Sequence, residues 1–177
     1  MKKVSEVPIW IKFWMGISGF VVLYDAGYVL MRPRSMPGGD LFSIWSPYEL
    51  YARVDKLYSR EAMLAGDGFN KAQSILNLAE VSLHFLSLYL WSKPRLQSQG
   101  DVLAFGSQLM TLWKTVLYWL NDFCRPEGQR YTEGSDLMTW LLVYMLPNVV
   151  WLIVPSFTVY ALGQRLISKM PKTTSKR

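Results

Sequence analysis

The chain has 177 residues, 51% of them hydrophobic, 15% aromatic and only 18% charged, with a formal net charge of +6. Its charges cluster in the gaps between long apolar runs, which argues against an ordinary soluble domain and for an integral membrane protein of one compact domain, residues 1–177. A single cysteine, Cys124, and a single histidine, His84, argue against an internal disulfide, a cysteine-based metal cluster and a zinc site, so neither a metal nor a cofactor is expected.

The first apolar run, about residues 9–31, is long enough to span about 30 Å of hydrocarbon. It is too long and aromatic for a cleaved leader, has no small-residue cleavage pattern and carries Asp25 near its far end, so a permanent span is expected. Ser18, Asp25 and Tyr28 share one face of it at helical spacing. From Arg32 to about Asn70 runs the longest polar connection. It opens with the turn-rich RPRSMPGGD and continues as PYELYARVDKLYSREAML, which reads as one short amphipathic helix. Tyr48, Tyr51, Val54 and Tyr58 give that helix a side suited to the membrane interface, and Arg53, Asp55, Lys56, Arg60 and Glu61 read as solvated charges. A structured connection of this length suits a lid over a site.

The second span, about residues 72–91, carries a narrow polar stripe of Gln73, Asn77, Glu80, His84 and Ser87 in an otherwise apolar surface. A carboxylate at the bilayer centre is costly and marks a functional candidate. The third span, about residues 102–120, repeats the pattern with Gln108, Thr111, Thr115, Tyr118 and Asp122, and Lys114 at mid-segment is expected to meet a carboxylate across the bundle. The fourth, about residues 137–162, aligns Tyr144, Asn148, Trp151, Pro155 and Thr158, with Pro147 and Pro155 expected to kink it. A basic tail, residues 163–177, follows.

Lys2, Lys3, Lys93, Arg95, Arg165, Lys169, Lys172, Lys176 and Arg177 lie at the termini and in the turn after the second span, which places both termini in the cytoplasm. That distribution follows bilayer orientation, and nucleic acid is not an expected partner. The fold expected is therefore all-α: a polytopic four-helix membrane bundle with an interfacial helix between spans one and two.

Packed with their stripes inward, the four helices would enclose a hydrophobic pocket with a polar floor, lined by Asp25, Glu80, His84, Thr115, Tyr118, Asn148 and Trp151, with Asn77 and Tyr28 on the same faces. A desolvated carboxylic acid favours its neutral form, which would make Glu80 a proton donor. His84, one turn away, could share its proton or serve as the base, or the two could form a packing network only. Trp151 could face a carbocation with its ring, or simply pack. Together these groups suit protonation of a C=C bond and deprotonation elsewhere, without a redox cofactor.

YARVDKLY (residues 51–58), the membrane glutamate Glu80, TVLYWLND (residues 115–122) and PNVVWLIVP (residues 147–155) occur in the order in which similar elements occur in the emopamil-binding protein family. The chain resembles this EXPERA-domain family, shared by sterol isomerases and the sigma-two receptor, over nearly its whole length. The resemblance implies a four-span bundle in the endoplasmic reticulum with a pocket open to lipid, and ligands that are sterols or cationic amphiphiles imitating a carbocation. It implies partners in the form of a homodimer or a heterodimer with a related chain. It assigns Asp25 as the first-span acid, Asp55 as the acid of the interfacial element, Glu80 as the catalytic glutamate, and Asn148 and Trp151 as the pocket pair.

The chain departs from the sterol isomerases at Val21, where they have histidine, and at Thr115, where they have an acid; His84 is an addition. The resemblance therefore implies a rearranged acid-base set, with His84 or Asp25 as base, acting on an isoprenoid, meroterpenoid or sterol-like substrate as in related terpene cyclases. A non-catalytic binding protein and an accessory subunit of a related enzyme are the alternatives.

Overall fold

Prolines and glycines between the apolar runs set the ends of the helices. In the computed structural model, which describes residues 6–171, α1 (Ile9–Leu30) begins after Pro8 and stops just before the Arg32–Pro33 pair. The connector then forms two short helices, α2 (Tyr48–Val54) and α3 (Arg60–Leu64), before the long helices α4 (Phe69–Trp91), α5 (Gln97–Phe123) and α6 (Leu137–Lys169). The described residues are 77% helical and contain no strand.

The long helices pack in chain order, α1 on α4, α4 on α5 and α5 on α6. Helices α1 and α6 are long and apolar enough to cross a bilayer. The helices α4 and α5 are also long, but polar residues dilute their apolar character, and those polar residues face inward. Among the buried residues of α4 only Val81 and Trp91 are apolar; Asn70, Gln73, Ser74, Asn77, Glu80, His84 and Ser87 complete the set. Its exposed surface carries Ile75, Leu76, Leu78, Leu86 and Tyr89, and that of α5 carries Val102, Met110, Trp113, Leu117 and Leu120. Water favours the opposite arrangement, with apolar groups inside.

Three expectations change in detail. Helices α4, α5 and α6 outrun the apolar segments, so part of the expected tail, through Lys169, is still helix. Lys2, Lys3, Lys172, Lys176 and Arg177 lie outside the described residues. The connector forms two helices instead of one, because Asp55 is extended (φ −107°, ψ 95°) and its side chain caps the turn Lys56–Tyr58 by accepting from the Leu57 N–H at 3.1 Å. Asp55 is thus buried, not a solvated charge as its connector position suggests.

The connector is clamped to α1. Trp45 donates its indole N–H to the Tyr24 carbonyl at 2.8 Å, and its ring lies so close to Gly27 that a Cβ there would stand 2.8 Å from it. The ring of Tyr28 stacks on that of Tyr48 with centroids 4.2 Å apart. A separate apolar cluster of Val7, Ile11, Met15, Trp91, Ala104 and Leu162 closes the other end of the bundle.

Helix α6 bends its hydrogen-bonding pattern before Pro147. Residues Trp140–Met145 form a π-helical stretch in which the Leu146 N–H reaches back to the Leu141 carbonyl. Proline lacks an N–H and crowds the carbonyl four residues earlier, so a wider turn just ahead of it relieves both problems. Just after it, Asn148 Nδ2 donates to the Tyr144 carbonyl at 2.8 Å.

Candidate functional site

The mixed polar and apolar interior leaves a cavity of about 360 Å³ among α1, α4, α5 and α6, roofed by α2. Helix α1 contributes Asp25, Val21 and Val22; α4 contributes Asn70, Gln73, Asn77 and Glu80; α5 contributes Thr111, Lys114, Thr115 and Tyr118; α6 contributes Val143, Pro147, Asn148 and Trp151. Pro47, Tyr48, Leu50, Tyr51 and Tyr58 of the connector complete the wall. Most of this surface is apolar or aromatic, with a few polar groups converging on it, as in sites for hydrophobic ligands.

Two carboxylates and one ammonium stand in that wall. Glu80 is 1% exposed, and its Oε2 lies 2.8 Å from Lys114 Nζ. Lys114 Nζ also donates to Asn77 Oδ1, and the Lys114 backbone carbonyl accepts from Gln73 Nε2 at 3.1 Å. One helical turn separates Gln73, Asn77 and Glu80, so a single lysine is tied to all three. Glu80 Oε1 and Gln73 Oε1 are buried with no hydrogen-bond donor among the described residues. A buried acceptor left without a donor costs about 1–3 kcal/mol.

Asp25 is held differently. Its Oδ1 accepts from the Tyr48 hydroxyl at 2.8 Å and from the Tyr58 hydroxyl at 2.9 Å. Burial, reinforced by the neighbouring Asp25 carboxylate, pushes both phenols above their ordinary range, so they remain protonated donors. The rings of Tyr48, Tyr51 and Tyr58 meet one another, with Tyr51 and Tyr58 edge to face at 4.9 Å. Asn148 ties α6 to this collar by donating to the Tyr51 hydroxyl at 3.2 Å.

Of the residues singled out in the sequence, Asp25, Asn77, Glu80, Thr115, Tyr118, Asn148 and Trp151 line the cavity. His84, Tyr28 and Asp55 do not. The His84 side chain is fully buried, and its Nε2 lies 2.8 Å from Gln108 Nε2. Trp14 donates its indole N–H to Gln108 Oε1 at 3.0 Å, which leaves the Gln108 amide nitrogen for His84. His84 Nε2 is therefore the acceptor and its proton sits on Nδ1. Trp14 also packs on Trp151 with centroids 5.0 Å apart. Glu80 and His84 share a face, but Glu80 lines the cavity, while Trp14, Gln108 and His84 bond to one another outside its lining.

Tyr28 donates its hydroxyl to the Tyr58 carbonyl at 3.0 Å and is 1% exposed, so it supports the collar from behind. Asp55 accepts from the Leu57 N–H and from the Tyr118 hydroxyl and so fixes Tyr118 in the wall without entering the cavity. Lys114, expected to meet a carboxylate, and Tyr48, Tyr51 and Tyr58, expected to form a side suited to the membrane interface, also line the cavity. Their polar faces are visible in the sequence; their convergence is not. Among the described residues no three His, Cys, Asp or Glu side chains gather as a metal site would require.

Comparisons with protein-family profiles, curated proteins and solved structures find no match to this chain.

Proposed function

We propose that this chain is a four-span, EXPERA-like membrane protein whose cavity carries out acid-base isomerisation or protonation-initiated cyclisation of a neutral, hydrophobic isoprenoid or sterol-like alkene, without a cofactor. The outward apolar and inward polar surfaces of α4 and α5 support their crossing the bilayer beside α1 and α6. On this reading α2 lies at the interface, both termini are cytoplasmic and the protein resides in the endoplasmic reticulum. Lys93 and Arg95 then sit on the cytoplasmic side, together with Arg165 and Lys169, which Asp101 binds.

The observation that carries the chemistry is the grouping of Glu80, Lys114 and Asp25 in one largely apolar wall. In their ordinary ionised forms, two carboxylates and one ammonium leave the cavity one positive charge short. Proton transfer from Glu80 to a bound alkene leaves that total unchanged and sets the new carbocation against two carboxylates. The Glu80–Lys114 pair holds one exchangeable proton, and the proton can sit on Glu80 when Lys114 is the neutral amine.

Glu80 gives this proton to one alkene carbon, and the π electrons form the new C–H bond. The positive charge left on the neighbouring carbon is held by the carboxylates and by the faces of Trp151 and the tyrosine collar. In isomerisation a different carbon then loses a proton to Asp25, and its C–H electrons form the new double bond. In cyclisation a second alkene closes on the cation before that loss. Transfer of the proton from Asp25 back to the Glu80–Lys114 pair completes the cycle, with substrate and product of the same composition.

Reconstitution in lipid with sterol and isoprenoid alkenes, followed by product analysis, tests the reading. Wild-type protein is expected to form an isomeric product and folded Glu80→Gln to form none; full turnover in that variant contradicts the assignment. A binding role without turnover is favoured by one observation, the aromatic collar around Asp25. It predicts ligand retention with no isomeric product.

A further inference from the structure

Lys114 stands where a ligand's cationic head would pair with Glu80. Its Nζ is 2.8 Å from Glu80 Oε2 and donates to Asn77 Oδ1, and the side chain, 16% exposed, lines the cavity. An ammonium at that position satisfies what a carboxylate in an apolar pocket would otherwise seek from a bound cation. We infer that Lys114 is a tethered cation that determines head-group specificity: by occupying the Glu80 carboxylate it excludes cationic amphiphiles from that end of the cavity and selects neutral ligands.

This inference rests on the reading of the cavity as the ligand site and is independent of turnover. The Glu80 charge, already paired with Lys114, needs no ligand charge at that end of the cavity. A cationic head entering beside Glu80 must displace Lys114 or lie against it, and like charges at close range repel. An anionic head meets the Asp25 and Glu80 carboxylates and is disfavoured as well. A neutral head pays neither penalty and can give a hydrogen bond to Glu80 Oε1 or Gln73 Oε1, both buried without a hydrogen-bond donor.

The same charge count specifies how the preference changes when one partner is removed. Without the lysine, Glu80 becomes an unpaired carboxylate beside Asn77, a site for a cation. Without the glutamate charge, Lys114 becomes an unpaired ammonium, a site for an anion.

The experiment measures equilibrium binding of three probes with one tail, dodecanol, N,N-dimethyldodecylammonium and dodecanoate, to the full chain in nanodiscs, with empty discs as the blank. Wild type is expected to prefer dodecanol. Lys114→Met should gain about tenfold or more in affinity for the ammonium with dodecanol unchanged, and Lys114→Arg should behave as wild type. Glu80→Gln should gain about tenfold for dodecanoate, an arm that stands if Lys114→Met does not fold. An unchanged ammonium affinity in folded Lys114→Met, or an unchanged dodecanoate affinity in Glu80→Gln, overturns the inference. Turnover of an isoprenoid with a failed head-group test keeps the proposed function and removes this inference. Loss of turnover with a passed test does the reverse, and binding of no probe overturns the cavity as the ligand site.

Discussion

Asp101 and Glu80 are both buried carboxylates on neighbouring helices of the bundle, and they differ in how completely they are satisfied. Asp101 takes bonds from Arg165 Nε at 3.0 and 2.9 Å, from Lys169 Nζ at 2.5 Å and from the Trp91 indole at 2.9 Å. It ties the start of α5 to the end of α6. Glu80 has one cation, an oxygen without a donor, and a cavity beside it. A carboxylate that holds a fold together uses both oxygens. One that leaves an oxygen unused in a cavity wall is available for a ligand or a proton.

That contrast gives its largest expected effect at Asp101. Asp101→Ala removes the carboxylate that Arg165, Lys169 and Trp91 share and is expected to lower stability by about 3–5 kcal/mol, read by thermal unfolding in detergent. Equal losses from Asp101→Ala and Glu80→Gln would erase the distinction between the two carboxylates. Glu80→Gln, which keeps an oxygen for Lys114 beside the cavity, should cost less stability than Asp101→Ala while turnover is lost, a fall of at least about 10²–10⁴.

Smaller effects sharpen the boundary of the site. His84→Ala removes the acceptor for Gln108 and should cost about 1–3 kcal/mol of stability, with turnover of the folded protein unchanged. A loss of turnover comparable to that of Glu80→Gln would return His84 to the reaction.

Asp55 gives a pH signature in the connector. Burial pushes its carboxyl up from an ordinary 3.8 to about 7, against the bonds from Tyr118 and Leu57 that favour the ionised form. Between those values the folded protein holds a proton that the unfolded chain has released. This contribution to stability is complete below the lower value and is lost as pH rises through about 7. The wild-type melting temperature should therefore fall between about pH 5 and pH 8, and that of Asp55→Asn should fall less. Parallel curves for the two proteins would remove Asp55 as the source.

The comparison also separates what periodicity reveals from what it cannot. Gln73, Asn77, Glu80, His84 and Ser87 share a face because a helix of 3.6 residues per turn puts them there, and all five are buried. Spacing fixes the face of a residue and not the depth at which a cavity ends. Glu80 and His84 are one turn apart, yet Glu80 lines the cavity and His84 is bonded to Gln108 outside its lining.

Asp55 escaped a correct reading for a related reason. A charge in a polar connector looks solvated until the connector folds over the bundle and buries it. Lys114 was visible as a lysine needing a carboxylate; that its partner is Glu80, with Asn77 beside it, depends on the register of α4 against α5. The wide turn ahead of Pro147 is equally a product of context, since proline predicts a disturbance and the neighbouring helices decide its form.

Deuterium labelling tests the central claim most directly. Wild-type protein in lipid and D₂O, supplied with an isoprenoid or sterol alkene that it converts, is expected to yield isomeric product carrying deuterium on the carbon that receives the proton, while Glu80→Gln yields none. Product formed without deuterium while the solvent exchanges freely with the cavity, or equal labelling by the two proteins, would contradict proton transfer from Glu80.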